Sequence, residues 1–182
     1  MKKNVSFDLC MKGLMIAAHV VLSSYFTIKT PVINVGFSSL PIAVAALMYG
    51  PLGGFEVGFI GSFLQQLISY GLMPTTVIWV IPYAVFGLLI GSYAKLKNYR
   101  LSRVQLVGII LFSTIVMTVI NTLGMFVDSK IYGYYSFKAV FAAVPLRLLS
   151  GLVRSVIYAA IIYPLVSRLD FMKTRIRGAV QG

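Results

Sequence analysis

"AAVPLRLLSGLVRSVIYAAIIYPLV", residues 142–166, is apolar enough to cross a bilayer, yet it carries Arg147 and Arg154. A charged side chain at the bilayer centre costs ~2.5–3.5 kcal/mol on insertion scales. Two guanidinium groups kept in such a stretch call for something anionic, either within the protein or brought to it. Seven residues at ~100° and ~1.5 Å each bring both to nearly one helix face, ~10.5 Å apart along the axis. Pro145 suits a helix start or kink, which places Arg147 near one rim of the membrane and Arg154 deeper; the alternative for either is to snorkel or to bond a carbonyl at a bend.

The rest of the chain reads in the same way. Of 182 residues, 59% are apolar and 11% charged, with a mean hydropathy of +0.91. Soluble domains carry nearer ~25% charged residues, so most of this surface faces something other than water. Apolar runs of bilayer-spanning length, ~20 residues, fall near 10–28, 52–70, 74–94, 104–127 and 142–168. A shorter run at 34–50 contains Pro41, which suggests a kinked or tilted span. The expectation is an all-α integral membrane bundle of six transmembrane helices forming a single domain over 1–182. The N-terminal stretch begins with lysines and turns apolar, as a signal peptide would, but no small-residue cleavage site follows it. It reads as the first span.

Sixteen Lys and Arg against four acids give a net charge of +12. The basic residues lie in the gaps between apolar runs rather than on one exposed face, so they read as membrane flanks and not as a nucleic-acid surface. Eleven of them, from Lys2, Lys3 and Lys12 through Lys95, Lys97, Arg100 and Arg103 to Arg168, Lys173, Arg175 and Arg177, fall on one side. Lys29, Lys130 and Lys138 fall on the other. The positive-inside rule then places both termini in the cytoplasm of a cell (plasma) membrane.

The chemistry of enzymes is missing. One histidine (His19), one cysteine (Cys10) and one acid within a span (Glu56) cannot assemble a nucleophile with its base, a metal site or a disulfide. A phosphate-binding Gly-x-x-x-x-Gly-Lys loop is also absent. The chain is therefore expected to be no enzyme, to hold no metal or cofactor, and to hydrolyse no nucleotide itself. His19 reads as a hydrogen-bonded structural residue. Glu56, about one turn from the cytoplasmic boundary, is either a proton-coupling carboxylate or a cation-paired structural one.

What remains is binding or transport. Besides Arg147 and Arg154, the polar and aromatic candidates for a ligand site are Gln65, Gln66 and Tyr70 at the outer end of span three, Trp79 and Tyr83 in span four, and Asn121 in span five. Tyr132, Tyr134 and Tyr135 in the long outer loop 128–141 either anchor at the interface or help close a site. Gly50, Gly54, Gly58 and Ser62 recur every four residues, a groove where another backbone approaches closely, within the protein or in a partner. Gly13 and Ala17 form a second such pair on span one.

"LPIAVAALMYGPLGG" leading into "FEVGFIGSF", together with "VPLRLLSGLVRSVIY", resembles the substrate-binding S-components of energy-coupling factor (ECF) vitamin transporters, over nearly the whole chain. "NTLGMF" and the arginine near the start of span six lean toward the folate-type group. The resemblance implies a six-helix bundle that binds a vitamin near its extracellular side. It also implies docking through the first helix onto a transmembrane coupling subunit driven by two ATPase subunits. Family members often use Ala-x-x-x-Ala for that docking; here the pattern is Gly13-x-x-x-Ala17. Folate is the ligand implied first, with pantothenate or another carboxylate-bearing vitamin open, since the acid that folate-type members often carry near Gln65 is absent. A small proton-coupled secondary transporter using Glu56, and a membrane scaffold without ligand, are the alternatives.

Overall fold

A computed structural model describes residues 5–29, 34–142 and 144–179; beyond residue 166 the backbone alone is described. Lys2 and Lys3 lie outside the described residues, and the side chains of Arg168, Lys173, Arg175 and Arg177 are not described. The chain is helical: α1 (Val5–Tyr25), α2 (Ser39–Tyr70), α3 (Thr76–Leu96), α4 (Arg103–Ile131), the short α5 (Phe137–Phe141) and α6 (Val144–Ala179). Two three-residue strands, β1 (Thr27–Lys29) and β2 (Asn34–Gly36), pair antiparallel with Thr27 opposite Gly36. The second span, expected to begin at residue 34, thus starts as a strand, and its helix begins at Ser39. Asn34, Val35 and Gly36 continue the apolar run in composition, but they find their backbone partners across the ribbon.

Five helices, α1 to α4 and α6, are long and apolar enough to cross a membrane. Six were expected, and the difference lies at Gly50. Its φ of 77° and ψ of −164° break α2 into arms of residues 39–49 and 51–70, with Pro51 opening the second. The arms fold back on one another. His19 touches both Ser38 and Ser62, twelve residues to either side of Gly50. A Cβ added at Gly54 would sit 2.7 Å from the Cβ of Ala46, eight residues earlier, a separation no continuous helix allows. The first arm has eleven residues, ~16 Å of helix, about half the hydrocarbon thickness.

The outer surface is unlike that of a soluble protein, although the core holds large apolar side chains such as Phe86, Ile90 and Ile110. Small residues (Ala43, Ala45, Ala46) and polar ones (Ser62, Ser113, Ser155) are fully buried, while Phe112, Ile115, Val119 and Leu123 line an outward face of α4. Apolar side chains outward and backbone polar groups satisfied within helices are what lipid demands as a solvent. Small residues also bring α2 and α3 into backbone contact. A Cβ at Gly54 would lie 2.5 Å from the Gly87 carbonyl oxygen, and one at Gly58 would lie 2.5 Å from that of Tyr83. The four-residue repeat is therefore an internal packing seam.

Charged connections gather at one end of the bundle. Lys12 meets Glu56 at 2.5 Å, Arg103 lies over the Tyr163 ring, and the α3–α4 connection carries Lys97 and Arg100. There α4 starts with a capping box: Ser102 Oγ accepts from the Gln105 amide and Gln105 Oε1 accepts from the Ser102 amide.

Candidate functional site

At the opposite end lies a cavity of about 570 Å³, within the range of ~300–1,000 Å³ usual for small-molecule sites. The second arm of α2 contributes Gln65, Gln66 and Tyr70, and α3 contributes Trp79 and Tyr83. Asn121 comes from α4, with Arg147 and Arg154 from α6. All eight residues singled out in the sequence line this one cavity. Gln65 is buried and donates to Ser69 Oγ at 3.0 Å; Tyr70 stands at the mouth, half-exposed.

The arginines share one side of the cavity. Arg147 is half-buried, and its guanidinium lies 2.9 Å from the Met125 sulfur of α4. Arg154 donates from Nε to the Ser150 carbonyl at 3.3 Å, one turn back on its own helix. Its charge reaches the phenols of Tyr83 and Tyr158, which also face the cavity. Tyr158 donates to the Gly36 carbonyl at 3.1 Å, tying α6 to the β ribbon beside the cavity. Arg147 thus sits at the start of the helix and Arg154 about two turns further in.

His19 fixes the floor where α1 meets α2. It is 1% exposed. The Ser38 carbonyl can only accept, so Nδ1, 2.7 Å away, carries the proton, and Nε2 accepts from Ser62 Oγ at 3.4 Å. Ser38, held in this way, and its neighbour Ser39 line the cavity. The histidine is hydrogen-bonded structure. Glu56 lies outside the cavity lining, in its ion pair with Lys12, the cation-paired alternative left open by the sequence.

Several cavity residues escaped the sequence reading. Thr114 and Thr118 face it from α4, where each hydroxyl donates to the carbonyl four residues back and so travels through an apolar helix without an unmet donor. Asp128, which opens the expected outer loop 128–141, lies instead in the last turn of α4, buried against the cavity. Hydropathy falls at "DSK", but the helix continues to Ile131, since no breaker precedes Gly133 at φ 77°. Trp79 Nε1 donates to Asp128 Oδ1 at 3.4 Å, and the Tyr134 hydroxyl donates to Oδ2. Partial burial and this carboxylate partner push the Tyr134 phenol up to about 12. Tyr132 and Tyr134 therefore close the mouth, whereas the Tyr135 ring packs on Phe126 and under Lys130. The small residues Gly13 and Ala17 of α1 are both exposed, and a Cβ at Gly13 would meet nothing within 4 Å.

The arrangement offers rings for stacking, amides and hydroxyls for hydrogen bonding, and cations for an anion. Among the described residues no group of three His, Cys, Asp or Glu side chains gathers to hold a metal.

Proteins of known structure share this fold. The fold is similar to that of FolT bound with folic acid, at 21% identity and a TM-score of 0.63, covering 90% of this chain and 96% of the other. It is similar also to the S component of a bacterial ECF transporter, at 23% identity and a TM-score of 0.66, covering 90% and 98%. A UPF0397 protein of Streptococcus agalactiae is 32% identical over 163 residues, 86% of each chain. Another, from Lactobacillus johnsonii, is 36% identical over 101 residues, 53% of this chain and 54% of that one. Residues 4–169 match the family described as "ECF-type riboflavin transporter, S component", and the chain belongs to that family, a membrane transport component and not an enzyme.

Proposed function

We propose that this protein is the substrate-binding subunit of an ECF-type vitamin importer whose ligand carries a carboxylate, with folate as the first candidate. One observation carries the choice: Arg147 and Arg154 line a single cavity together with Trp79, Tyr83 and three side-chain amides. Arginine presents a planar fork that matches a carboxylate, and the rings suit a flat heterocycle. Riboflavin, named in the family's description, carries no carboxylate for the arginine fork to take. Pantothenate is the second carboxylate-bearing candidate.

The cavity lies at the end of the bundle away from Lys97, Arg100 and Arg103. With the positive-inside rule this supports a site that opens to the extracellular side, cytoplasmic termini and six passes, the two arms of α2 counting as separate passes. Delivery then needs a coupling subunit and two ATPase subunits, because the chain carries no nucleotide-binding loop. The exposed Gly13–Ala17 face of α1 is the surface we assign to that docking. A proton-coupled transporter has no support from Glu56, which is engaged by Lys12. Native mass spectrometry of the purified protein should find a bound carboxylate vitamin. Riboflavin in that position would overturn the assignment of the ligand.

A further inference from the structure

The cavity lining also holds an acid. Asp128 is 8% exposed, and its carboxylate faces the same space as the two arginines. A carboxylate accepts about four hydrogen bonds. Two are supplied here, from Trp79 Nε1 to Oδ1 and from the Tyr134 hydroxyl to Oδ2. No ion pair to Asp128 is formed among the described residues. Yet Met125, which Arg147 touches, is only three residues away on the same helix. A buried carboxylate holds its charge only when its remaining lone pairs meet donors. Trp79 and Tyr134 come from different elements and approach different oxygens, so they fix the orientation of the group and leave one further lone pair on each oxygen. Two parallel acceptors about 2.2 Å apart match two adjacent N–H donors, the bidentate pattern a carboxylate makes with a guanidinium-like edge.

We propose that Asp128 is a specificity-determining residue that accepts a pair of N–H donors from an amino-substituted pyrimidinone ring of the vitamin, an exocyclic amino group beside a ring N–H, while the anionic end of the same molecule goes to the arginines of α6. This rests on the reading of the cavity as a site for an anionic vitamin. Trp79 and Tyr134 act as positioning residues for the carboxylate, and a ring lacking the exocyclic amino group forfeits one of the two bonds.

The test is calorimetric titration of the purified full chain with folate, 2-desaminofolate, pantothenate, biotin and riboflavin. The parent should prefer folate to its desamino analogue by about tenfold or more. Asp128→Asn should weaken folate by about ten- to a hundredfold and bring the two ligands to near-equal affinity. A merely structural role would weaken both ligands alike and keep their ratio. Equal binding of the two by the parent, which requires no variant, would overturn the proposal, as would an unchanged ratio in Asp128→Asn. Binding of pantothenate or biotin, with neither folate compound bound, would sink the role of Asp128 and leave the anionic-vitamin reading standing. Binding of riboflavin alone would sink both.

Discussion

Gly54→Ala tests whether the α2–α3 seam holds the fold. The added methyl would lie 2.5 Å from the Gly87 carbonyl oxygen and 2.7 Å from the Ala46 Cβ, one neighbour on α3 and the other on the first arm of α2. Carbon makes favourable contact only at ~3.5–4.0 Å, so the elements must part by about 1 Å. Both obstacles are backbone or a Cβ, and no rotamer can relieve them. Overpacking of this kind costs ~1–3 kcal/mol. At ~2–4 °C per kcal/mol for a chain of this size, the melting temperature in detergent should fall by about 2–12 °C, read by scanning fluorimetry beside size-exclusion monodispersity. Gly13→Ala is the control, since nothing lies within 4 Å of its new methyl, and it should not lower stability. A Gly54→Ala protein as stable as the parent would refute the close backbone packing on which the helix arrangement depends.

Other outcomes follow from the same structure. Gly13→Leu and Ala17→Leu, on the exposed face of α1, should cut vitamin uptake in cells while ligand binding by the isolated protein stays as in the parent; normal uptake by both would remove the docking role. The Tyr134 phenol, raised from 10.0 to about 12, should ionise near pH 12 in a difference titration at 295 nm against Tyr134→Phe. With its pKa raised, first by burial and then by the bond to Asp128, the neutral phenol contributes stability that is fully present below pH ~10 and is lost as the pH climbs toward 12. Ionisation near pH 10 would mean that the contact is absent in solution. Cysteines placed at positions 3 and 177 should label only after permeabilisation of the cells, and labelling from outside would reverse the topology.

Much of this architecture is legible in the residues. Long apolar runs report α1, α3, α4 and α6 because lipid removes the need for alternation, and the Gly50–Gly54–Gly58–Ser62 spacing reports the seam because only small residues let backbones touch. The eight polar and aromatic site candidates converge because polar groups at membrane depth are costly unless they share a cavity. What hydropathy cannot carry is geometry at its own edges. The β ribbon at Thr27–Lys29 and Asn34–Gly36 has the composition of a span end, and its pairing is decided by a partner strand. Asp128 was misplaced because charge ends an apolar run without ending a helix. His19 gives no local sign that Ser38 and Ser62 will meet it, for that depends on the reversal at Gly50.

The role proposed for Arg147, holding the carboxylate of the ligand, is read most directly by calorimetric titration of parent, Arg147→Ala and Arg147→Lys with folate. A charge-assisted hydrogen bond contributes ~1.5–3 kcal/mol, and ~1.4 kcal/mol is tenfold in affinity. Arg147→Ala should therefore bind about ten- to a hundredfold more weakly than the parent. Arg147→Lys should recover only part of the loss, since an ammonium cannot reproduce the fork. An Arg147→Ala protein that is monodisperse and binds folate as tightly as the parent would show that Arg147 does not hold the carboxylate.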